Sequence, residues 1–201
     1  MGKGRSFLAA DRLNLLIALC AILISLASFY ATYMQASAAE KQVKAMTFPL
    51  MGFTHSNYDE AAKKPAIAFT IKNSGSGPAI IHSAKLIYDG KPYNEVGNFM
   101  VACCNAEYKA YQSLFDKFNS TTISIEEGAT LTSVINNIVL PAQQDRVFFK
   151  LYDHQNSHDL WLKVNNERWK LDVEFCYCTL LDDCFTSKGG GIANPVKSCK
   201  A

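Results

Sequence analysis

Seven cysteines are the residues of this sequence best equipped for chemistry. Six of them, Cys103, Cys104, Cys176, Cys178, Cys184 and Cys199, follow a segment that marks the chain for export, and an even set in an oxidising compartment reads as disulfides. Cys178 and Cys184 flank the compact stretch Thr179-Leu180-Leu181-Asp182-Asp183, a turn whose flanking strands bring the two sulfurs within bonding reach. Cys176 precedes Cys178 by two residues on the same strand, hence on the same face. It is expected to reach the vicinal Cys103-Cys104 pair across the core, and such a bond closes a loop of about 70 residues and contributes roughly 3 to 4 kcal/mol. Cys199, behind Gly189-Gly190-Gly191, is either a tail clip or a free thiol. Cys20 lies in an apolar run and acts as a small apolar side chain.

A metal or redox site competes with the disulfide reading. Cys176-x-Cys178 is not a C-x-x-C pair, and no second C-x-x-C completes a zinc knuckle. His154 and His158, flanked by Asp153 and Asp159, have the i, i+4 spacing that binds a divalent cation on a helix. No third ligand is in view, so they are read as a solvated loop and helix cap, and His55 and His82 are isolated. The carboxylate pairs Glu126-Glu127 and Asp182-Asp183 sit at turns and are read as solvated acids rather than as a general acid and base. The chain carries no G-x-S-x-G elbow, phosphate-binding loop, H-E-x-x-H or dinucleotide fingerprint. These observations assign no catalytic residue, metal ligand or cofactor, and the chain is expected not to be an enzyme.

The element that decides the class is the uncharged run from Leu13 to Met34. A helix of about 20 residues crosses the roughly 30 Å hydrocarbon core of a bilayer, and no proline interrupts this one. Lys3, Arg5 and Arg12 precede it, so the positive-inside rule puts the N-terminus in the cytoplasm and the rest of the chain outside. Tyr30 and Tyr33 are placed as aromatic anchors at the outer interface. The same N-terminal residues, set against Asp11, account for the formal charge of +2, leaving the remainder balanced and giving no reason to expect nucleic acid. Three other readings stay open. Ala36-Ser37-Ala38 fits a signal-peptide cleavage pattern, Met1-Gly2 through Ser6 fits N-myristoylation, and Ser6-Phe7 followed by Asp11 resembles a degenerate type IV prepilin start.

Residues 35–46 are helix-permissive and are read as a stalk ended by Pro49. Pro65 to Lys72 and Ala79 to Tyr88 have strand composition and surround Asn73-Ser74-Gly75-Ser76-Gly77-Pro78, a turn in which Gly75 and Gly77 take positive φ cheaply and Asn73 bonds its own backbone. The stretch from Asn94 to Phe118 is read as one or two helices, with Tyr108, Tyr111, Leu114, Phe115 and Phe118 near a helical period as core residues. Thr121 to Glu126, Ile135 to Leu140 and Arg146 to Tyr152 are read as strands, with residues 141–144 as a turn. Asp159 to Val164 is a short helix or strand. In the late strand Arg168 to Cys178, Trp169, Leu171, Val173 and Phe175 share one face opposite Lys170, Asp172 and Glu174. Asn119-Ser120-Thr121 matches the N-glycosylation pattern.

The strand followed by N-S-G-S-G-P-A-I-I and a strand ending Y-D-G-K resembles the opening hairpin of small immunoglobulin-like domains on bacterial envelope proteins, including CARDB-type modules. The run from Phe175 to Phe185 is similar to the Y-C-S-x-x-x-x-C-W ending of such proteins. The resemblance implies a mainly β chain: an immunoglobulin-like β-sandwich with one or two short helices behind a long transmembrane helix. The organisation expected is a cytoplasmic segment 1–12, a span 13–34, a stalk 35–46, an extracytoplasmic domain 47–188 and a flexible tail 189–201. The function expected is that of a non-catalytic protein of the bacterial inner membrane whose periplasmic domain binds another protein. The alternatives are a type IV pilin-like subunit and a periplasmic thiol-disulfide or metal-handling protein.

Overall fold

The computed structural model describes residues 4–117 and 124–199, which divide into two units, 1–46 and 47–201. The first unit is one helix, α1 (Gly4–Met46). Its stretch Arg12–Met46 is long and apolar enough to cross a membrane, and an 18-residue window within it has a mean hydropathy of 2.3. Two of the hydroxyls within it are satisfied by the helix itself: Ser25 Oγ donates to the carbonyl of Ala21 and Thr32 Oγ1 to that of Ser28, both at 2.8 Å. Back-bonding of this kind removes the cost of placing a hydroxyl in an apolar medium. The helix stops three residues before Pro49, whose predecessor is sterically driven out of the helical region.

The second unit is built from two antiparallel sheets. The first runs β1 (Met51–Asp59), β2 (Lys64–Asn73), β7 (Asp145–Tyr152) and β5 (Leu131–Thr132) in that spatial order. The second runs β10 (Asn194–Val196), β9 (Cys184–Lys188), β8 (Leu171–Cys178), β3 (Ala79–Tyr88) and β4 (Lys91–Tyr93), and β6 (Ile138–Leu140) also pairs with β3. Two helices, α2 (Val96–Lys117) and α3 (His158–Glu167), pack against each other. Both sheets and both helices feed one core, in which Phe69, Phe148, Phe175, Phe99 and Val164 are buried together. The alternation in β8 explains its contribution. Leu171, Val173, Phe175 and Tyr177 face inward, while Asp172, Glu174 and Cys176 take the other face.

Several expectations change in three dimensions. The turn at residues 73–78 does not close a hairpin, because β2 and β3 belong to different sheets. It is a corner that carries the chain from one sheet to the other. Trp169 is not on the inner face of β8; it belongs to a 3₁₀ turn, Arg168–Lys170, that precedes the strand, and is 71% exposed. The segment expected as a strand over 121–126 begins outside the described residues, and its visible end is a 3₁₀ turn, Ile125–Glu127. Ser124 N–H donates to Glu127 Oε2 at 2.9 Å, a reciprocal cap that competes with strand pairing. Tyr111 is buried as expected, whereas Leu114 is 39% exposed, and Phe118 and the Asn119-Ser120-Thr121 pattern lie outside the described residues. The stretch beyond residue 188 is not a free tail: β10 pairs with β9, and Cys199 is covalently fastened.

Candidate functional site

The cysteines assemble into three bonds. Cys178 and Cys184 are disulfide-bonded, and they face each other in the register of β8 and β9. Cys176 bonds to Cys199. The pairing of Cys176 with the Cys103-Cys104 pair is therefore corrected: Cys176 sits on the outer face of β8, whereas Cys104, 1% exposed, is part of the core beneath the inner face. Cys103 and Cys104 bond to each other, at a point where α2 is kinked and Cys104 leaves the helical region with φ −143° and ψ 36°. Cys20 carries a free thiol.

The corner residues act through contact and hydrogen bonding. Asn73 is wholly buried; its Nδ2 donates to the carbonyls of Gly77 (2.8 Å) and Pro141 (3.1 Å), and its Oδ1 accepts from the amides of Leu50 (3.1 Å) and Gly75 (3.0 Å). One side chain thus ties together the chain entering β1, the corner and the end of β6. Gly75 and Gly77 are needed for close approach rather than for positive φ. A Cβ on Gly77 would lie 1.9 Å from the carbonyl oxygen of Thr47, and one on Gly75 2.3 Å from that of Phe48. Pro78 then leads into β3.

A second constellation was not legible as such in the sequence. Arg168 is 6% exposed, and its hydrogen-bond partners are uncharged: Nε donates to Asn165 Oδ1 at 3.0 Å and Nη1 to His55 Nδ1 at 2.6 Å. Burial, then the charge of Arg168, lower the pKa of His55, which keeps the ring neutral and Nδ1 free to accept. The guanidinium lies 4.3 Å from the centroid of the Trp169 ring, and His55 meets the same indole edge-on at 4.8 Å. The result is an exposed indole clamped by a buried cation and an imidazole, beside the strand at which the first sheet ends. The signal in the sequence is the Arg-Trp dipeptide at a helix end, and the long-range partner His55 leaves no local trace.

Other polar groups are bound up in the fold. The Asp59 carboxylate takes an ion pair from Lys150, a hydrogen bond from the Tyr152 hydroxyl (2.5 Å) and two from the amides of Ala61 and Ala62 (3.0 Å each). The hydrogen bond from Lys150, followed by that from Tyr152, holds Asp59 well below the usual carboxylate range. His154 and His158 do not converge: His158 Nδ1 meets Asp153 Oδ1 at 2.7 Å, which raises its pKa, while His154 Nδ1 accepts from the amide of Asn156 at 3.3 Å. A crevice of about 420 Å³ opens at the start of α2, lined by Val96, Val134, Ile135 and Phe148 with Asn136 and Glu95 among its polar groups. Its mixed lining suits a partner's side chain or a small amphipathic group. Comparison with protein-family models, curated proteins and solved structures finds no match for this chain.

Proposed function

We propose that this chain is a non-catalytic, membrane-anchored envelope protein whose extracytoplasmic domain binds another protein. In this reading α1 is a single span of the bacterial inner membrane with its N-terminus in the cytoplasm, and the β-rich unit is an immunoglobulin-like sandwich in the periplasm. The apolar length of α1 and the lysine and arginine residues before Leu13 support the anchor and its orientation. The three disulfides support an oxidising location.

The observation that carries the binding role is Trp169. Tryptophan and arginine dominate the energetics of protein interfaces, and a side chain already fixed before binding loses little conformational entropy when a partner covers it. Trp169 has both properties: it is 71% exposed and held between Arg168 and His55. It also lies beside β1, the last strand of its sheet; the Phe53 amide of β1 is taken by the carbonyl of Gly189, and the edge beyond it, from Thr54 on, is where a partner strand can add.

The test is site-specific photocrosslinking in native membranes with the full chain. A photoreactive residue at position 169 should give a discrete protein adduct, and the same residue at Lys91, on β4 of the other sheet, should not. A protein that gives no adduct at 169, or the same adducts at both positions, removes this reading. A reporter enzyme that is active only outside the cytoplasm, fused after residue 201, tests the orientation separately.

A further inference from the structure

The outer face of β8 carries two disulfides that are close neighbours. The Sγ atoms of Cys178, Cys184 and Cys199 all lie within 4.8 Å of one another, although Cys199 is bonded to Cys176 and the other two to each other. An isolated structural disulfide has no third sulfur to react with. Here a thiolate released from one bond stands, within a side-chain rotation, beside the other. We propose that Cys176, Cys178, Cys184 and Cys199 form a thiol–disulfide exchange centre that takes two electrons from an external dithiol and relocates its remaining bond. This inference is independent of the protein-binding reading.

Access and charge give the exchange a direction. Cys178 is buried, whereas Cys176, Cys184 and Cys199 are only partly covered. Lys197 and Lys200 flank Cys199 in the sequence, and Asp182 and Asp183 immediately precede Cys184. Nearby cations favour a thiolate and nearby carboxylates disfavour one, and the sulfur with the more stable thiolate leaves faster. Cys199 is therefore the favoured leaving group. It lies past β10, a strand of three residues, so reduction frees a short segment rather than an element of the core.

One thiolate of the dithiol attacks Sγ of Cys176; the Cys176–Cys199 bond breaks and its electron pair leaves on Cys199. The second thiol of the reductant closes on the first, departs as a cyclic disulfide and releases Cys176, which takes a proton. The Cys199 thiolate then attacks Sγ of Cys184, forms a Cys184–Cys199 bond and expels Cys178, which takes a proton in turn. The dithiol has lost two electrons and two protons, and the protein has gained the thiol pair Cys176 and Cys178 on one strand face. That pair is placed to reduce the disulfide of a second substrate.

The experiment uses the full chain in detergent with less than one equivalent of dithiothreitol, followed by acid quenching, alkylation and peptide mapping. Cleavage at lysine and before aspartate puts Cys176 and Cys178 in one fragment, Cys184 in a second and Cys199 in a third. The expected result is a new link between the fragments of Cys184 and Cys199, with alkyl groups on Cys176 and Cys178. In the Cys178→Ser/Cys184→Ser variant, the same treatment should leave both Cys176 and Cys199 alkylated. If partial reduction of the unaltered chain yields only the original linkages, with labels on Cys176 and Cys199 or on Cys178 and Cys184, the proposal is overturned.

Discussion

Arg168 and Trp169 are adjacent in the chain but opposite in environment: the guanidinium is 6% exposed, and the indole that it supports from 4.3 Å is 71% exposed. A buried guanidinium with uncharged partners costs free energy to desolvate, and its hydrogen bonds to Asn165 and His55 offset part of that cost. The arrangement fixes a large apolar ring where water would otherwise leave it free to rotate.

Fluorescence reports on that fixation. In a Trp161→Phe background, Trp169 is the remaining tryptophan, and its emission, excited at a wavelength that tyrosine does not absorb, should be that of a water-exposed indole, readily quenched by acrylamide. Replacing Arg168 with alanine should lower the fluorescence anisotropy of Trp169 and destabilise the protein by about 1 to 3 kcal/mol through lost charge-assisted hydrogen bonds. Trp169→Ala, by contrast, should alter stability by no more than about 0.5 kcal/mol, as expected of an exposed side chain. Unchanged anisotropy in the Arg168 variant would show that the clamp does not hold the ring.

The corner between the sheets should be intolerant of change. Gly77→Ala places a methyl group 1.9 Å from the Thr47 carbonyl oxygen, so the backbone must move. Asn73→Ala strands several buried amides and carbonyls, at about 2 to 4 kcal/mol for a set of bonds each costing on the order of 1 kcal/mol. Urea unfolding followed by circular dichroism checks both. Near-native midpoints for the two variants would show that the corner is not essential.

Stability should fall on acidification in a defined window. Hydrogen bonds from Lys170 and then Tyr88 bring the pKa of Glu167 down to about 2, and Asp59 is depressed by Lys150 and Tyr152. A carboxylate depressed in the folded state stabilises above its unfolded value, about 4 for these residues, and loses that contribution as pH falls through the folded value. Thermal melts should therefore show a steep loss of Tm below about pH 4, and Glu167→Gln should flatten that limb. His158 acts with the opposite sign. Its bond to Asp153 raises its pKa, so its contribution is present in acid and fades as pH rises through the folded value.

Thiol counting tests the covalent framework as a whole. Unfolded in denaturant without reductant, the chain should take up a single alkyl group, at Cys20, and seven after full reduction. Two extra labels before reduction, at Cys103 and Cys104, would mean that the vicinal bond does not form.

Much of the fold is legible locally. Pro65 to Lys72 and Ala79 to Tyr88 announce themselves as strands because alternating or β-branched composition is a property of a few consecutive residues. The Cys178–Cys184 bond is legible for the same reason, since both sulfurs hang from one turn. The partner of Cys176 was not: choosing between Cys199 and the Cys103-Cys104 pair depends on which face of β8 lies over the core. His55 and Arg168, far apart in sequence, carry no mutual signal at all.

By itself the sequence determined an uninterrupted apolar helix long enough to cross a bilayer, a cysteine-stapled β-rich unit after it, and the approximate place of several strands, Pro65 to Lys72 and Ala79 to Tyr88 above all. These follow from side-chain solubility and backbone preference, which act over a turn or a strand. The tertiary structure decided that residues 73–78 join two sheets instead of closing a hairpin, that Trp169 is turned outward onto Arg168, and that Cys199 sits beside a second disulfide. Those outcomes depend on how distant segments share one core, and close packing selects among arrangements that local preference leaves equal.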